Sequence, residues 1–458
     1  MIRETKMTMR SAQGRLYHAL SILVLALAFV TFPVVLAARA DVDIQEVTSE
    51  SGITAWLVED YTVPIINIRF AFTGGSVQEP EGKEGLANLM TGLFDEGAGD
   101  LESAAFQERM DDAGGEMSFS ATRDAVFGSL RMLAEDREEV LDLMRLAVTE
   151  PRFDEAPFER IRAQILTGIQ SRERDPEHQG RLAFAQALYG DHPYGRSDEG
   201  TSETLAALTP ADVGELHQRL FARSNLHVAV VGAIDAETLR VELDRVFGDL
   251  PEKADLIEVE PVEPALAQEV GFEFALPQSS LQLVYPGLAR DDDDFFAAFL
   301  MNHVLGGGSF SSRLFNEVRE ARGLTYGIGS WLRTDDYTNS LNIATSTRSD
   351  RVTEALAVIE AEIARMIEEG PTEEELADAK RYLIGAYAIN NLDTSSSVAR
   401  TLVELQRNDL GIDYISRREE LINEVTREQA HEAARRLLSA EPALMVIGPA
   451  RASAGEPG

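Results

Sequence analysis

An arginine and a tyrosine whose side chains could take part in catalysis, Arg319 and Tyr326, lie seven positions apart in this 458-residue sequence. They lie within the segment LGGGSFSSRLFNEVREARGLTYGIGS at residues 305–330. A guanidinium is a permanently charged set of donors, and a phenol is a neutral donor near pH 7. Two such donors aimed at one point could stabilise an oxyanion. Taken alone, this spacing is more typical of a surface arginine on a helix and a half-buried tyrosine on a strand than of a catalytic pair.

Three consecutive glycines, Gly306, Gly307 and Gly308, stand at the start of the same segment. Such a run can let a loop approach the backbone of a ligand, and it can equally form a simple turn between helices. No Lys-Ser or Lys-Thr pair follows the glycines, so the run lacks the pattern of a phosphate-binding loop. Nucleotide binding is therefore not expected.

Side chains that could bind a metal ion or act as a nucleophile form no recognised motif. Cysteine is absent, which excludes disulfides and zinc sites built on thiolates. Beyond residue 40, no two histidines are three or four residues apart, and no Gly-x-Ser-x-Gly motif occurs. His192, in a DHPYG loop, is expected to be structural. The run DDDD at residues 291–294 is expected to be solvated and to favour a helix starting at Phe295.

The sixteen residues GKEGLANLMTGLFDEG, at 82–97, predict an amphipathic helix entered from a glycine-rich turn. The apolar residues of its buried face have helical spacing: Leu86, Leu89, Met90, Leu93 and Phe94. Between them lie Asn88, Thr91 and Gly92, and none of these is a good zinc ligand. A helix with such an opening often carries a hydrolytic metal site, but this one has no ligand.

The composition is that of an acidic globular protein. Hydrophobic residues make up 44% of the chain and charged residues 26%, which are ordinary values. A length of 458 residues suits two or more domains. The formal net charge of −36 argues against a nucleic-acid partner, because a polyanion would be repelled.

The N-terminus has the order of a secretory signal peptide. Basic residues precede an apolar run at 19–36, and Ala38 and Ala40 form a small-residue cleavage site. The alternative is an uncleaved membrane anchor, but the run is near the minimum spanning length and Pro33 interrupts it. The sequence therefore predicts a signal peptide at 1–40 and an exported protein, periplasmic or secreted, with no membrane segment after cleavage.

We expect the mature protein to begin at Asp41, because cleavage follows the Ala-x-Ala site. Mass spectrometry of the native N-terminus checks this expectation. An intact Met1 recovered in the membrane fraction would instead identify the segment as an anchor.

An internal repeat runs through the rest of the chain. The segment Leu208–Gly232 is similar to Val425–Gly448, and Thr209 aligns with Thr426 at an offset of 217 residues. Each threonine is expected to cap a helix, and an apolar strand ends each copy. ILTGIQ and YLIGAY match at the same offset, and FQERMDDAGG matches FNEVREARGL at an offset of 209.

The repeat predicts two homologous halves in tandem, at 41–250 and 271–451. The segment between them, 251–270, is rich in proline and acidic residues and is expected to be an extended surface linker. Within each half, strands and helices interleave without strict βαβ alternation. The expected fold class is therefore α+β, with a mixed, mainly antiparallel sheet in each half and helices on one face.

These patterns resemble the pitrilysin/insulinase family of zinc peptidases, including its processing-peptidase-like members, over nearly the whole mature chain. The family carries an inverted His-x-x-Glu-His motif on the helix after a Gly-Lys-x-Gly-Leu-Ala turn. Here the five positions read NLMTG: Asn88 and Gly92 stand for the histidines, and Thr91 stands for the catalytic glutamate. The family spacing of its third ligand, a glutamate, points to Gly168. The resemblance thus implies no metal site and no cofactor in this chain.

The resemblance also gives the second-half residues a role. In active members, an arginine and a tyrosine of that signature bind the scissile carbonyl and its oxyanion beside the zinc. The matching residues here are Arg319 and Tyr326, while Gly306–Gly308 resemble a loop that meets the substrate backbone.

The resemblance implies a regulatory, substrate-binding subunit of an exported heterodimeric zinc metallopeptidase. Such a subunit is inactive alone and acts on peptides with a sibling that carries the zinc motif. Two alternatives remain open: a structural scaffold, comparable to core proteins of respiratory complexes, and a stand-alone peptide-binding protein. Retention of Arg319 and Tyr326 argues against the scaffold.

Overall fold

Two β-sheets, each with its own hydrophobic core, organise residues 42–449, which are the residues that the computed structural model describes. The signal peptide predicted at 1–40 lies outside these residues, as do the last two positions of the half predicted at 271–451. Between residues 42 and 449, no helix has both the length and the apolar character needed to cross a bilayer.

The first sheet is built from strands of the first half. In chain order the strands are β1 (Gln45–Thr48), β2 (Thr54–Glu59), β3 (Ile65–Thr73), β4 (Gly97–Ala98), β5 (Leu101–Glu102), β6 (Glu116–Ala121), β7 (Ala125–Leu133) and β8 (Leu226–Gly232). The sheet order is β1-β2-β8-β3-β7-β6, and β4 and β5 form a separate hairpin. Only β2 and β8 are parallel neighbours in this sheet.

The second sheet follows the same plan. Its strands are β9 (Glu269–Glu273), β10 (Gln278–Pro286), β11 (Thr325–Thr334), β12 (Asn339–Arg348) and β13 (Ala443–Gly448). They are ordered β11-β12-β10-β13-β9, and only β13 and β9 are parallel. Both sheets are thus mixed and mainly antiparallel, which confirms the predicted fold class.

Helices fill the connections between the strands. Those of the first half are α1 (Leu86–Thr91), α2 (Ser103–Asp112), α3 (Arg137–Thr149), α4 (Glu155–Arg172), α5 (Pro176–Tyr189), α6 (Ser202–Ala207), α7 (Pro210–Leu220) and α8 (Ala236–Phe247). Those of the second half are α9 (Phe295–Asn302), α10 (Val352–Glu369), α11 (Glu373–Asn391), α12 (Ser395–Arg407), α13 (Tyr414–Glu424) and α14 (Arg427–Leu438). As the repeat predicts, Thr209 and Thr426 begin α7 and α14 with reciprocal capping boxes.

The core of the first half is packed around the aromatic residues of β3. Phe70 is fully buried and makes edge-to-face contacts with Phe72, Phe119 and Phe247. Its ring lies across the neighbouring strand at Gly128, where a Cβ atom would be only 1.9 Å from the ring. Glycine is therefore required at this position for the aromatic core to close.

Each sheet also receives one helix from the other half. On the second sheet, Phe184 and Leu188 of α5 pack with Met445 and Ile447 of β13. On the first sheet, the Gln406 amide of α12 bonds both backbone groups of Val228 in β8, at 3.2 and 2.8 Å. We call α5 and α12 the exchanged helices. They cover the sheet faces opposite the two main cores. The sequence predicted helices on one face of each sheet, and the exchanged helices add a helix on the other face.

The segment between the halves is held against both of them. Residues 251–268 have no regular secondary structure, and β9 begins at Glu269. The backbone of Ile257 exchanges two hydrogen bonds with the Gln78 amide, at 2.6 and 3.0 Å. Val262 and Leu266 pack against the apolar cluster beneath α5. The segment therefore connects the two halves and also packs over the place where they meet.

Candidate functional site

The helix that carries the degenerate motif positions is shorter than the sequence suggests. α1 has six residues and ends at Gly92, whose N–H donates to the carbonyls of Leu89 and Met90. The chain continues as turns to the hairpin strand β4, although Leu93 and Phe94 remain fully buried. The predicted apolar face is therefore correct, but the helix predicted over 82–97 spans only Leu86–Thr91.

None of the four degenerate positions offers a metal ligand. The Thr91 hydroxyl donates to the backbone carbonyl of Asn88 at 2.8 Å, so it serves the helix itself. A Cβ atom on Gly92 would lie 2.9 Å from Ile161 of α4, in a position filled by apolar packing. Gly168, also on α4, lies beside the guanidinium of Arg172. Across the described residues, no three histidine, aspartate or glutamate side chains come together in a cluster that could hold a metal ion.

Sequence reasoning missed a buried carboxyl that positions α1. Glu79 is almost fully buried and accepts the backbone N–H groups of Gly85 and Ala87, at 3.0 and 2.7 Å. These are donors that the start of a helix leaves free. Burial raises the pKa of Glu79 to about 8, against the opposing effect of the two N–H donors. No local pattern marks this residue, because it lies seven positions before the helix begins.

Arg319 and Tyr326 lie on either side of a tight turn, as the sequence predicts. Arg319 is near the end of a π-helical segment, Phe315–Glu320, and its guanidinium is 4.8 Å from the Phe315 ring centroid and paired with Glu320. Gly323 makes the turn in a left-handed conformation, with φ of 59°. Tyr326 follows on β11.

The Tyr326 side chain points away from the protein. It is 88% exposed and lies on an edge strand of the second sheet. The register of β11 against β12 shifts between Thr325 and Ile328, and a bulge of this kind redirects a side chain. The Thr325 hydroxyl holds the irregular segment by donating to the Gly327 carbonyl at 2.8 Å. The phenol is therefore presented to the outside by a fixed backbone.

The glycine run packs against the same strand. A Cβ atom on Gly306 would lie 2.5 Å from the Ser330 hydroxyl and 2.8 Å from its backbone nitrogen. The N–H of Gly308 donates to the carbonyl of His303 at 2.8 Å and closes a wide turn. Close packing against Ser330 thus explains why residue 306 is a glycine. The turn closed by Gly308 lies next to β11, the strand that carries Tyr326.

A hydrogen-bonded network joins the two halves near the DHPYG loop. The Tyr194 hydroxyl donates to Asp124 at 2.7 Å and accepts the backbone N–H of Tyr337 from the second half at 3.2 Å. The N–H of Asp336 donates to the other Asp124 oxygen at 3.2 Å. Neighbouring His192 lies 3.0 Å from the carbonyl of Glu260 in the linker. The loop is therefore structural, as the sequence analysis expected of His192.

The network borders a charged cavity of about 540 Å³ between the halves. Burial raises the pKa of Asp336 to about 6, although Arg407 lies only 3.2 Å away. The cavity contains neither the degenerate motif positions nor Arg319 and Tyr326. This cavity therefore does not bring the sequence-predicted residues of the two halves together.

Two family models match the chain. The model described as "Insulinase (Peptidase family M16)" matches residues 55–202, and the model described as "Peptidase M16 inactive domain" matches residues 207–383. The gap between the two matches, at residues 203–206, lies just before the repeat unit that starts at Leu208 and ends the first half.

Similar proteins occur in several bacteria. A protein of Bacillus subtilis named "Uncharacterized zinc protease YmxG" is 24% identical over 89% of this chain and 98% of its own length. A Helicobacter pylori protein named "Non-peptidase homolog YmxG" is 24% identical over 75% of this chain and 79% of its own length. The names thus include both a protease and a non-peptidase.

Solved structures share the whole architecture. A Pseudomonas fluorescens structure described as "peptidase M16 inactive domain" is 29% identical, with a TM-score of 0.83, over 90% of this chain and 98% of its own length. A protease from Helicobacter pylori has the same fold, with a TM-score of 0.78 at 18% identity over 89% of this chain and 99% of its own length.

Proposed function

Since this chain belongs to the insulinase family of peptidases, family M16, and lacks the family's catalytic motif, we propose that it is the non-zinc-binding subunit of a heterodimeric zinc peptidase. In this proposal the protein is exported and binds a sibling subunit that carries an intact His-x-x-Glu-His motif. The present chain binds the peptide substrate and contributes Arg319 and Tyr326 to its hydrolysis.

The observation that carries the proposal is an exposed, unused tyrosine hydroxyl in a chain whose family motif positions carry no metal ligand. Tyr326 is 88% exposed, and its hydroxyl makes no hydrogen bond to any residue between 42 and 449. Asn88, Thr91, Gly92 and Gly168 occupy the positions where the family motif requires ligands and base. A donor that has no acceptor within the described part of its own chain is suited to a site completed by another chain.

The residues of this chain would act on the substrate carbonyl. Zinc in the sibling would supply an activated water and polarise the scissile bond. The Tyr326 hydroxyl would donate a neutral hydrogen bond to the developing oxyanion, and the Arg319 guanidinium would supply a charged one. For this, Arg319 must exchange its contact with the neighbouring carboxylate of Glu320 for the substrate. Gly306–Gly308, beside β11, would bring their backbone close to the peptide.

A structural role is the second candidate. The pairing of Arg319 with Glu320 favours it, because it leaves the guanidinium already neutralised in the free chain. The name of the Helicobacter pylori relative, a non-peptidase homolog, is consistent with it. The two candidates differ in whether Arg319 and Tyr326 affect turnover in the assembled complex.

We expect the purified chain alone to hold no stoichiometric zinc and to cleave no peptide. The reason is that Asn88, Thr91, Gly92 and Gly168 offer neither a ligand set nor a general base. Metal analysis after dialysis and a peptide-library assay measure this. One tightly held zinc per chain, together with chelator-sensitive cleavage, would contradict the prediction.

Assembly is tested by co-expression with an M16 sibling that has an intact motif, encoded in the same genome. We expect one heterodimer in gel filtration, one zinc per heterodimer, and peptide cleavage by the mixture that neither chain shows alone. A sibling that is fully active without this chain would refute the proposed role.

A further inference from the structure

The second half contains an aromatic pocket that the proposed catalytic pair does not use. It has a volume of about 320 Å³ and lies among α9, α11 and α13. This volume is at the lower end of the range for small-ligand sites. Aromatic side chains dominate its wall: Phe296, Phe299, Tyr382, Tyr387 and Tyr414. We call it the aromatic pocket.

Arg290, in the turn before α9, lines both the aromatic pocket and the charged cavity between the halves, whose wall also contains Asp335 and Asp336. Its guanidinium carbon is 4.0 Å from the ring centroid of Phe295 and 5.2 Å from that of Tyr414. The same guanidinium donates to the Tyr414 hydroxyl. These contacts fix the cation on one side of the pocket but do not neutralise it.

Arg418, on α13, supplies a second guanidinium. The residue is only 7% exposed, and its guanidinium carbon lies 4.1 Å from the ring centroid of Tyr387. One of its nitrogens donates to the carbonyl of Leu383 at 3.1 Å. Burial lowers the pKa of Arg418, the Tyr414 and Tyr387 hydroxyls oppose this shift, and the positive charge of Arg290 adds to it. An anion in the pocket would relieve both effects.

Neither guanidinium has a carboxylate partner in the described part of the chain. Among residues 42–449, no carboxylate oxygen lies within 4.0 Å of Arg290 or Arg418. The acidic residues that follow Arg290 pair elsewhere: Asp292 and Asp294 each lie 2.9 Å from Arg436. This is unusual in a protein with 78 acidic and 42 basic residues.

Other buried arginines of the same half are paired. Arg313 is equally buried and lies 2.6 Å from Glu375. Arg407 lies 3.2 Å from Asp336 and 3.3 Å from Glu404. A buried charge without a counter-ion is costly, and a chain this acidic could have supplied one. Since no carboxylate between residues 42 and 449 pairs with Arg290 or Arg418, an anion from a ligand could take that place.

We propose that the aromatic pocket binds the C-terminal carboxylate of a peptide whose last side chain is aromatic or large and aliphatic. A terminal residue carries its carboxylate and its side chain on one Cα atom. That matches a pocket in which two guanidiniums and several rings share one small volume. An aspartate or glutamate side chain would satisfy the cations and leave the rings unfilled. The identity of the ligand as a peptide rests on the proposed function.

The surroundings of the pocket agree with a peptide that continues beyond it. Phe295 and Phe299 also line a neighbouring cavity of about 270 Å³, which reaches Gly307 and Trp331. The preceding residues of the peptide would therefore extend toward the glycine run and β11. If so, the chain binds the C-terminal residue of a substrate or product, and the residues before it approach Tyr326.

The test uses the full mature chain alone, with no partner and no zinc. Calorimetry compares acetyl-Ala-Ala-Ala-Phe as the free acid, the same peptide as its C-terminal amide, and acetyl-Ala-Ala-Phe-Glu-amide. Dodecanoate is included as a carboxylate on an aliphatic chain. We expect the free acid to bind at least about tenfold more tightly than the other three, because charge-assisted hydrogen bonds from guanidinium to carboxylate are strong.

Arg290→Gln should lower the affinity for the free acid about tenfold or more and leave the amide unchanged. Arg290 is the more accessible of the two cations, and its replacement retains the apolar stem. The matched control is Arg417→Gln, on the same helix as Arg418, since Arg417 is exposed and pairs only with Asp413 among the described residues. The control should bind like the wild-type protein.

Equal affinity of the wild-type chain for acid and amide would overturn the proposal, as would an undiminished acid preference in Arg290→Gln. Tightest binding of the glutamate-amide would assign the site to acidic side chains, and tightest binding of dodecanoate would assign it to lipid carboxylates. Either result overturns the C-terminal assignment. Since the assay needs no hydrolysis, its failure leaves the proposed catalytic role to be decided by turnover of the complex.

Discussion

Replacing Tyr326 with phenylalanine should slow peptide hydrolysis by the assembled complex on the order of 10²–10³-fold, the usual cost of losing one oxyanion donor. The variant removes only the hydroxyl, which makes no hydrogen bond within residues 42–449, and the ring is 88% exposed. Folding and assembly should therefore be unchanged. The measurement is kcat and KM of the co-expressed complex, with assembly checked by gel filtration.

Arg319→Lys should also lower kcat more than it raises KM, because a point charge cannot reproduce the guanidinium fork. The matched control is Arg322→Lys, three positions on, where the side chain is similarly exposed and pairs with Glu317. The control should keep normal turnover. Full activity of both Tyr326→Phe and Arg319→Lys in an intact complex would leave this chain a scaffold.

Tyr194→Phe should lower the free energy of unfolding by about 2–4 kcal/mol. The hydroxyl joins the halves by donating to Asp124 at 2.7 Å and accepting the N–H of Tyr337 at 3.2 Å. Its loss leaves a buried acceptor and a buried donor without this partner, and each such group costs about 1–3 kcal/mol. The ring itself remains packed. Urea unfolding of the variant and the wild-type protein measures the difference.

The control for this substitution is the same chemical change at an exposed site. Tyr61 is 61% exposed, and its hydroxyl donates to Glu59 at 2.9 Å. Tyr61→Phe should change the free energy of unfolding by less than about 0.5 kcal/mol. If Tyr194→Phe proves as mild as Tyr61→Phe, the network does not hold the halves together.

The features that the sequence predicted well depend on short stretches of chain. Thr209 and Thr426 each cap a helix through a residue three positions on, so a local pattern is sufficient. The same is true of the turn at Gly323 between Arg319 and Tyr326. The predicted length of α1 is wrong because the apolar residues keep helical spacing through Leu93, beyond the point where the helix ends. The spacing of apolar residues does not show that Gly92 ends the helix.

The features that the sequence did not predict are contacts between distant positions. Tyr194 and Asp124 are 70 residues apart, and Arg290 and Tyr414 are 124 residues apart. No periodicity or spacing relates such pairs. The sequence also does not show that Arg418 lacks a carboxylate partner among residues 42–449, since acidic residues are abundant on α13 and in the turn before α9. Only the fold shows that they point elsewhere.

The exchanged helices make the two halves mutually dependent. A half on its own would leave the apolar positions around Ile447, or those beneath α12, exposed to water, so neither is expected to be a stable protein by itself. Two identical half-length chains could satisfy this requirement by trading the equivalent helix, as in a domain-swapped homodimer. The two halves of this chain exchange helices in the way that the subunits of such a dimer would.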